Sequence, residues 1–316
     1  MLLHNITISG LGGVGGYYGA MLVQAARREG LGRTISFVAR GAHCEAIRQR
    51  GLHVHTPERD FTVTPDFIAE DVHSLPPASL LILATKSYDL EANIQQLRPI
   101  IQRDTIILPL LNGADITAQV QALLPEQRVW DGCVYISGRK PAAGEILLEA
   151  ERERFVYGSR LPERSPEELE LYALLSSVGV NVHNPDDIET QIRKKFLMIS
   201  ATATGTSYFN QTVGEALAAH HEEMRGLIKE LCTLFSALGD DLGADAVERT
   251  LERQTFMIPS TTSSMHVDFM AGRPTELETL TGYVVREARR IGLRLPLYER
   301  MYTALASQPY PITETY

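Results

Sequence analysis

The sequence predicts an α/β N-terminal half built on a parallel sheet, followed by an all-α C-terminal half. Three observations carry that reading. Short runs dense in Ile, Leu and Val alternate with helix-length segments up to about residue 128, a glycine-rich turn joins the first run to the first helix, and strand signals stop after Pro185.

Ile6–Ser9, Thr34–Ala39, Leu80–Ala84 and Thr105–Leu110 read as buried strands, with Gly15–Arg28 and Ala42–Arg50 as crossover helices between them. Leu52–Thr56 and Phe61–Thr64 flank a Pro-Glu-Arg-Asp turn and read as a hairpin insert. Val129–Ser137, Ile146–Leu148 and Phe155–Gly158 suggest an antiparallel edge, followed by a helix over Pro166–Ser177. Past a boundary at His183–Asp186, the segments Ile188–Ala203, Gly214–Leu238, Ala244–Gln254 and Thr275–Ile291 have helical length and period. The division is therefore expected as residues 1–184 and 185–316, with a loosely ordered tail at Ser307–Tyr316.

Composition narrows the function. The chain has 316 residues and a net charge of −9, which argues against a general affinity for nucleic acid or anionic membrane. An anionic ligand must then be held by local cations or backbone N–H groups. The three cysteines, Cys44, Cys133 and Cys232, form no CxxC pair, so no disulfide framework or zinc ribbon is expected, and no metal site is read. No apolar run reaches membrane-spanning length and no signal peptide is legible, so a cytoplasmic protein is expected.

Gly10-Leu11-Gly12-Gly13-Val14-Gly15 is GxGxxG, placed directly after a strand and opening a helix. That context marks a Rossmann-type dinucleotide site. Gly10 permits the tight turn, Gly12 admits the diphosphate to the backbone, and Gly15 lets helix and strand pack closely. Gly13 and Val14 complete the loop, and helix N-terminal N–H groups receive the phosphates. The second strand ends at Arg40, where an NAD enzyme would usually carry Asp or Glu. A guanidinium fork suits a 2′-phosphate, so NADP(H) is the expected cofactor.

The GLGGVGG segment, Arg40, Thr85-Lys86, Leu111-Asn112-Gly113, Ser263-Ser264-Met265-His266-Val267-Asp268 and Gly272-Arg273-Pro274-Thr275-Glu276 together resemble the ketopantoate reductase (2-dehydropantoate 2-reductase) family. Gly282, Gly292 and Pro296 extend the likeness over nearly the whole chain. The resemblance implies a Rossmann domain plus a helical domain like the C-terminal domain of 6-phosphogluconate dehydrogenases. It also implies NADPH-dependent reduction of 2-dehydropantoate to pantoate, a step toward pantothenate and coenzyme A.

Such a reduction needs a proton donor, stabilisation of charge at the oxygen, and an anchor for the substrate carboxylate. Lys195 shares the inward stripe of Ile188, Ile192, Phe196, Ile199 and Ala203, and burial of a lysine there calls for a partner or a wet cleft. The resemblance makes Lys195 the acid and Glu276 the carboxylate that orients substrate. At about 100° per residue, Glu276 lies ~80° from its helix's apolar stripe and Glu278 ~120° away. The resemblance further assigns Ser264 to the substrate carboxylate and Asn112 to the region between nicotinamide and substrate. Lys86 ends the preceding strand in the same region, where it either contacts the cofactor or faces solvent. His266 reads as a packing residue near the site rather than as the acid.

The sequence departs from the family where asparagines are implied four and eight residues after the lysine: Ile199 and Ala203 stand there, and Thr261 replaces a further one. Thr202 and Thr206 lie on nearly the same helix face and are candidates to restore substrate hydrogen bonds. The acceptor could therefore be a different 2-oxo acid. Rival readings are a 3-hydroxyacid or opine dehydrogenase and a non-enzymatic NADP-sensing module. A small-molecule 2-oxo acid is the expected partner, and the apolar helical half could bury a homodimer interface.

Overall fold

The computed structural model describes residues 1–149 and 153–307. The chain divides into two compact units. One comprises Met1–Leu111 and Asp115–Glu189, and the other comprises Asn112–Ala114 and the chain from Thr190 onward.

In the first unit the elements run β1 (Asn5–Ser9), α1 (Gly13–Glu29), β2 (Thr34–Val38), α2 (Gly41–Arg50), β3 (Leu52–His55), β4 (Asp60–Val63), β5 (Phe67–Ala69), β6 (Ala78–Leu83), α3 (Leu90–Leu97), β7 (Ile101–Pro109), α4 (Ile116–Leu123) and β8 (Arg128–Val129). There follow β9 (Asp131–Tyr135), β10 (Gly138–Arg139), β11 (Glu145–Leu148), β12 (Arg154–Gly158), α5 (Pro166–Ser176) and β13 (Val182–His183). The main sheet has the order β5-β2-β1-β6-β7-β8, and every pairing in it is parallel. Parallel strands need covered faces, and the side-chain period of two divides their residues accordingly. Leu80, Ile82, Ile106 and Leu108 face one core with α1 and α5, while Leu81, Leu83 and Ile107 face the other with α3 and α4. The strand order reverses between β1 and β6, and ligands of such sheets bind at the strand carboxyl ends beside that reversal.

Two smaller sheets complete the unit, in the orders β10-β11-β3-β4 and β13-β12-β9. Here the expected single antiparallel edge is corrected. β9 and β12 do pair antiparallel, but Ile146–Leu148 joins the β3–β4 hairpin, running parallel to β3. Glycines in α1 make room for it: a Cβ on Gly16 would lie 2.5 Å from the Ile146 side chain, and one on Gly13 would lie 2.1 Å from the Gly138 carbonyl.

The second unit is helical: α6 (Ile188–Phe209), α7 (Val213–Ala219), α8 (His221–Ala237), α9 (Ala246–Thr255), α10 (Ser264–Met270), α11 (Tyr283–Arg290) and α12 (Pro296–Ser307). Three expectations change. The helix expected over Gly214–Leu238 breaks at His220, whose ring stacks on Phe209 at 3.7 Å. The helix expected from Thr275 starts later, with a π-helical turn at Glu278–Gly282 ahead of α11. Pro296–Ser307 forms a further helix where none was expected, and the rest of the expected loose tail lies outside the described residues. Among the described residues no helix is long and apolar enough to cross a membrane.

Candidate functional site

The first unit holds the glycine loop. Gly10 has φ +92°, in the left-handed region, and a Cβ there would meet the Ala84 backbone at 2.6 Å. The turn after β1 thus lies directly against the end of β6. Gly15 would place a Cβ 2.1 Å from the Gly10 carbonyl, so helix and turn can close only without a side chain. Gly12 differs from both. It is the N-cap of α1, no side chain caps the helix there, and a Cβ on it would meet nothing within 4 Å. Open space over uncapped helical N–H groups is what a diphosphate requires. Beside this loop the buried Thr85 hydroxyl has no hydrogen-bond partner among the described residues. The cradle and this hydroxyl fit a dinucleotide. Val14 packs against the core, and Lys86 is half-buried at the N-cap of the short turn after β6.

Arg40 is exposed at the N-cap of α2 and donates to Gln96 Oε1 at 3.0 Å. Gln96 in turn donates to the Glu70 carbonyl at 2.8 Å, and the Glu70 carboxylate accepts from Gly41 N–H at 3.2 Å. Sequence reasoning missed Glu70 because the three-residue strand β5 before it went unrecognised. A cation and a carboxylate therefore share the α2 N-terminus, where the ribose 2′ position of a dinucleotide would be read.

In the second unit the structure brings together Lys195 and Asn112. Lys195 Nζ donates to Asn112 Oδ1 at 2.8 Å, and the lysine is 5% exposed. Asn112–Ala114 belong to this unit although the chain on either side of them belongs to the other. The adjacent Arg193 fixes the same stretch, donating to the Ala114 carbonyl at 2.7 Å and pairing with Asp240.

Three predicted residues share one construction. Lys195, Ser264 and Glu276 each immediately precede a residue of a single apolar core: Phe196, Met265 and Leu277. Packing of those anchors sets where the polar side chains begin. Glu276 is 3% exposed, and its carbonyl accepts from Thr279 and Leu280 N–H as the helix starts. Glu278, by contrast, is exposed and pairs with Arg286 and Tyr302. The turn leading to Glu276 is held by Asp268, which accepts from Arg273 Nε at 2.9 Å while Gly272 takes φ +63°.

Ser264 is exposed in the first turn of α10, and Ser263 caps that helix through His266 N–H at 3.1 Å. Thr206 is fully buried, with its hydroxyl donating to the Thr202 carbonyl at 2.7 Å and lying 2.9 Å from Ser263 Oγ. Thr202 Oγ1 donates to the Met198 carbonyl and accepts from Gln254 Nε2 at 2.9 Å. The geometry thus gives both threonines work inside the helical packing, Thr206 as a brace for the segment that carries Ser264. His266 Nε2 lies 2.9 Å from Asn210 Oδ1 and Nδ1 lies 2.6 Å from Thr262 Oγ1. Asn210 Oδ1 can only accept, so Nε2 carries a hydrogen, and burial lowers the ring's pKa below its usual value. Asn210 adopts φ +52°, a strained conformation that this hydrogen bond helps to hold. Two surface cavities, of about 560 and 350 Å³, are lined by residues such as Arg28, Arg59 and Glu153, and no predicted site residue lines either.

Comparison with known proteins places these features in context. The family model described as ketopantoate reductase PanE/ApbA matches residues 6–161, and the model of its C-terminal domain matches residues 187–308. The uncharacterized oxidoreductase YkpB of Bacillus subtilis (strain 168) is 30% identical over 300 residues, covering 94% of this chain and 96% of that protein. The crystal structure of 2-dehydropantoate 2-reductase from Porphyromonas gingivalis W83 superposes with a TM-score of 0.85 at 44% identity, covering 96% of this chain and 99% of the other. A D-mandelate dehydrogenase solved with NADH and anilino(oxo)acetate shares the fold, with a TM-score of 0.82 at 20% identity over 96% of this chain and 97% of the other.

Proposed function

Since the chain belongs to the ketopantoate reductase family and is an oxidoreductase, we propose that it reduces 2-dehydropantoate to pantoate with NADPH, in the cytoplasm, as a step toward pantothenate and coenzyme A. The observation that carries the reading is the desolvated Lys195 ammonium aimed by Asn112. When bound, NADPH would supply the hydride that the ketone carbon needs. Lys195 donates its proton to the oxygen that gains charge, and Asn112 Oδ1 holds Nζ in one direction. The Ser264 hydroxyl, exposed at its helix start, receives the substrate carboxylate, and the buried Glu276 orients the substrate's hydroxyl end. Thr206 and His266 keep the Ser264 segment in place. Gly12 with the α1 N-terminus would hold the diphosphate, with Thr85 and Lys86 beside that loop, and Arg40 would take the 2′-phosphate.

A second reading rests on Ile199 and Ala203, which put apolar groups on the lysine's helix face where hydroxyl-binding amides are implied. A site lacking those amides loses its discrimination for a hydroxylated substrate, so a plainer 2-oxo acid becomes the better acceptor. The test is NADPH oxidation by purified enzyme with ketopantoate and a panel of shorter and longer 2-oxo acids. The highest kcat/KM with ketopantoate supports the first reading. A preference of more than about tenfold, ~1.4 kcal/mol, for an acid without the hydroxyl replaces it with the second.

A further inference from the structure

The β3–β4 hairpin has two unlike faces. Leu52, Val54 and Val63 are buried on one, while His53, His55, Asp60 and Thr62 stand on the other, as the period of two requires. The register sets His55 opposite Asp60 and His53 opposite Thr62. His53, His55 and Asp60 each offer one donor atom, and these atoms lie within 4.8 Å of one another. The two imidazole rings are 4.4 Å apart, and His55 Nδ1 is 3.0 Å from Asp60 Oδ2. On β11, Glu145 pairs in register with His53.

We propose that the outer face of this hairpin binds a divalent transition-metal ion of the zinc class through His53, His55 and Asp60. Two imidazoles and a carboxylate form a donor set such ions favour, and a fourth position is left for water. Metal–donor bonds of about 2.0–2.1 Å place neighbouring tetrahedral donors roughly 3.3 Å apart, which small rotations of exposed side chains reach from the observed spacing. Thr62 Oγ1 lies 2.7 Å from His53 Nδ1. Accepting that N–H, it fixes the ring so that Nε2 faces the ion, which makes Thr62 a positioning residue. The ion would cross-link β3 and β4 and take no part in the reduction.

The test uses full-length protein without an affinity tag. Zn²⁺ is titrated by calorimetry, and Co²⁺ is followed by its visible absorption. One equivalent of Zn²⁺ and a tetrahedral Co²⁺ spectrum are expected. His53→Gln, His55→Gln and Asp60→Asn should each weaken binding by more than about tenfold while ketopantoate reduction is unchanged. Thr62→Val should weaken it by roughly tenfold with the stoichiometry kept. Unfolding curves of the metal-free variants confirm their fold. Absence of one-to-one binding, or binding to a variant combining His53→Gln, His55→Gln and Asp60→Asn as tight as to the wild type, overturns the proposal.

Discussion

Replacing Lys195 by Met separates catalysis from stability. The ammonium is 5% exposed and donates to a neutral amide oxygen at 2.8 Å. Such a charge-assisted bond contributes about 1.5–3 kcal/mol, whereas holding an ion out of water costs several kcal/mol. Met keeps the volume and removes the charge, and Asn112 Oδ1 loses one donor at about 1 kcal/mol. A cooperative thermal melt is therefore expected for the variant. Turnover should fall. A positioned general acid contributes about 10²–10⁴-fold, so kcat should fall by that factor, or ~2.7–5.4 kcal/mol of barrier. The assay is steady-state NADPH oxidation, beside thermal melts and a cofactor-binding titration that should match the wild type. A kcat within about threefold of wild type, ~0.6 kcal/mol, would refute the assignment.

Other outcomes follow from the same geometry. Arg40→Asp should raise KM for NADPH far more than for NADH, and Glu70→Gln should move preference toward NADPH by removing a carboxylate beside the 2′ position; ratios of kcat/KM for the two cofactors read both. Gly12→Ala should leave the stability of the free enzyme within about 0.5 kcal/mol of wild type yet weaken dinucleotide binding, whereas Gly15→Ala should unfold the turn, as paired melts and titrations would reveal. Burial lowers the His266 pKa in the folded state. The unfolded chain therefore takes up the proton first as pH falls, and stability present above about pH 6.5 is lost toward the folded-state pKa. His266→Gln keeps a donor for Asn210 and should flatten that decline in melts from about pH 7 to 5; an unaltered slope would remove His266 from the account.

Local chemistry was legible in the sequence wherever it was written locally. The turn at Gly10, the open Gly12 and the close Gly15 need only a strand before and a helix after, and Lys195 falls on the inward side by helical period alone. Long-range choices were not legible. Nothing in Ile146–Leu148 says that its parallel partner is Leu52–His55, because that pairing depends on glycines 130 residues earlier (146 against Gly16) giving it room. The break at His220 has no proline or glycine to announce it; it comes with a stack on Phe209. Glu276 was placed in a first helical turn by its motif, but its burial beside Leu277 is a property of the packed core. The hydroxyls of Thr202 and Thr206 show the same limit, since helix phase predicts a face and not what already occupies it.

The membership of Asn112–Ala114 in the helical unit carries a consequence for anyone who treats the two halves as interchangeable parts. A hybrid enzyme cut near residue 190 would receive its lysine from one parent and that lysine's acceptor from the other. Transplanting substrate preference between relatives thus takes two inserts, one of them a tripeptide buried in the donor's cofactor-binding half of the gene. Recombination at a single crossover leaves a buried lysine whose amide acceptor comes from a stranger.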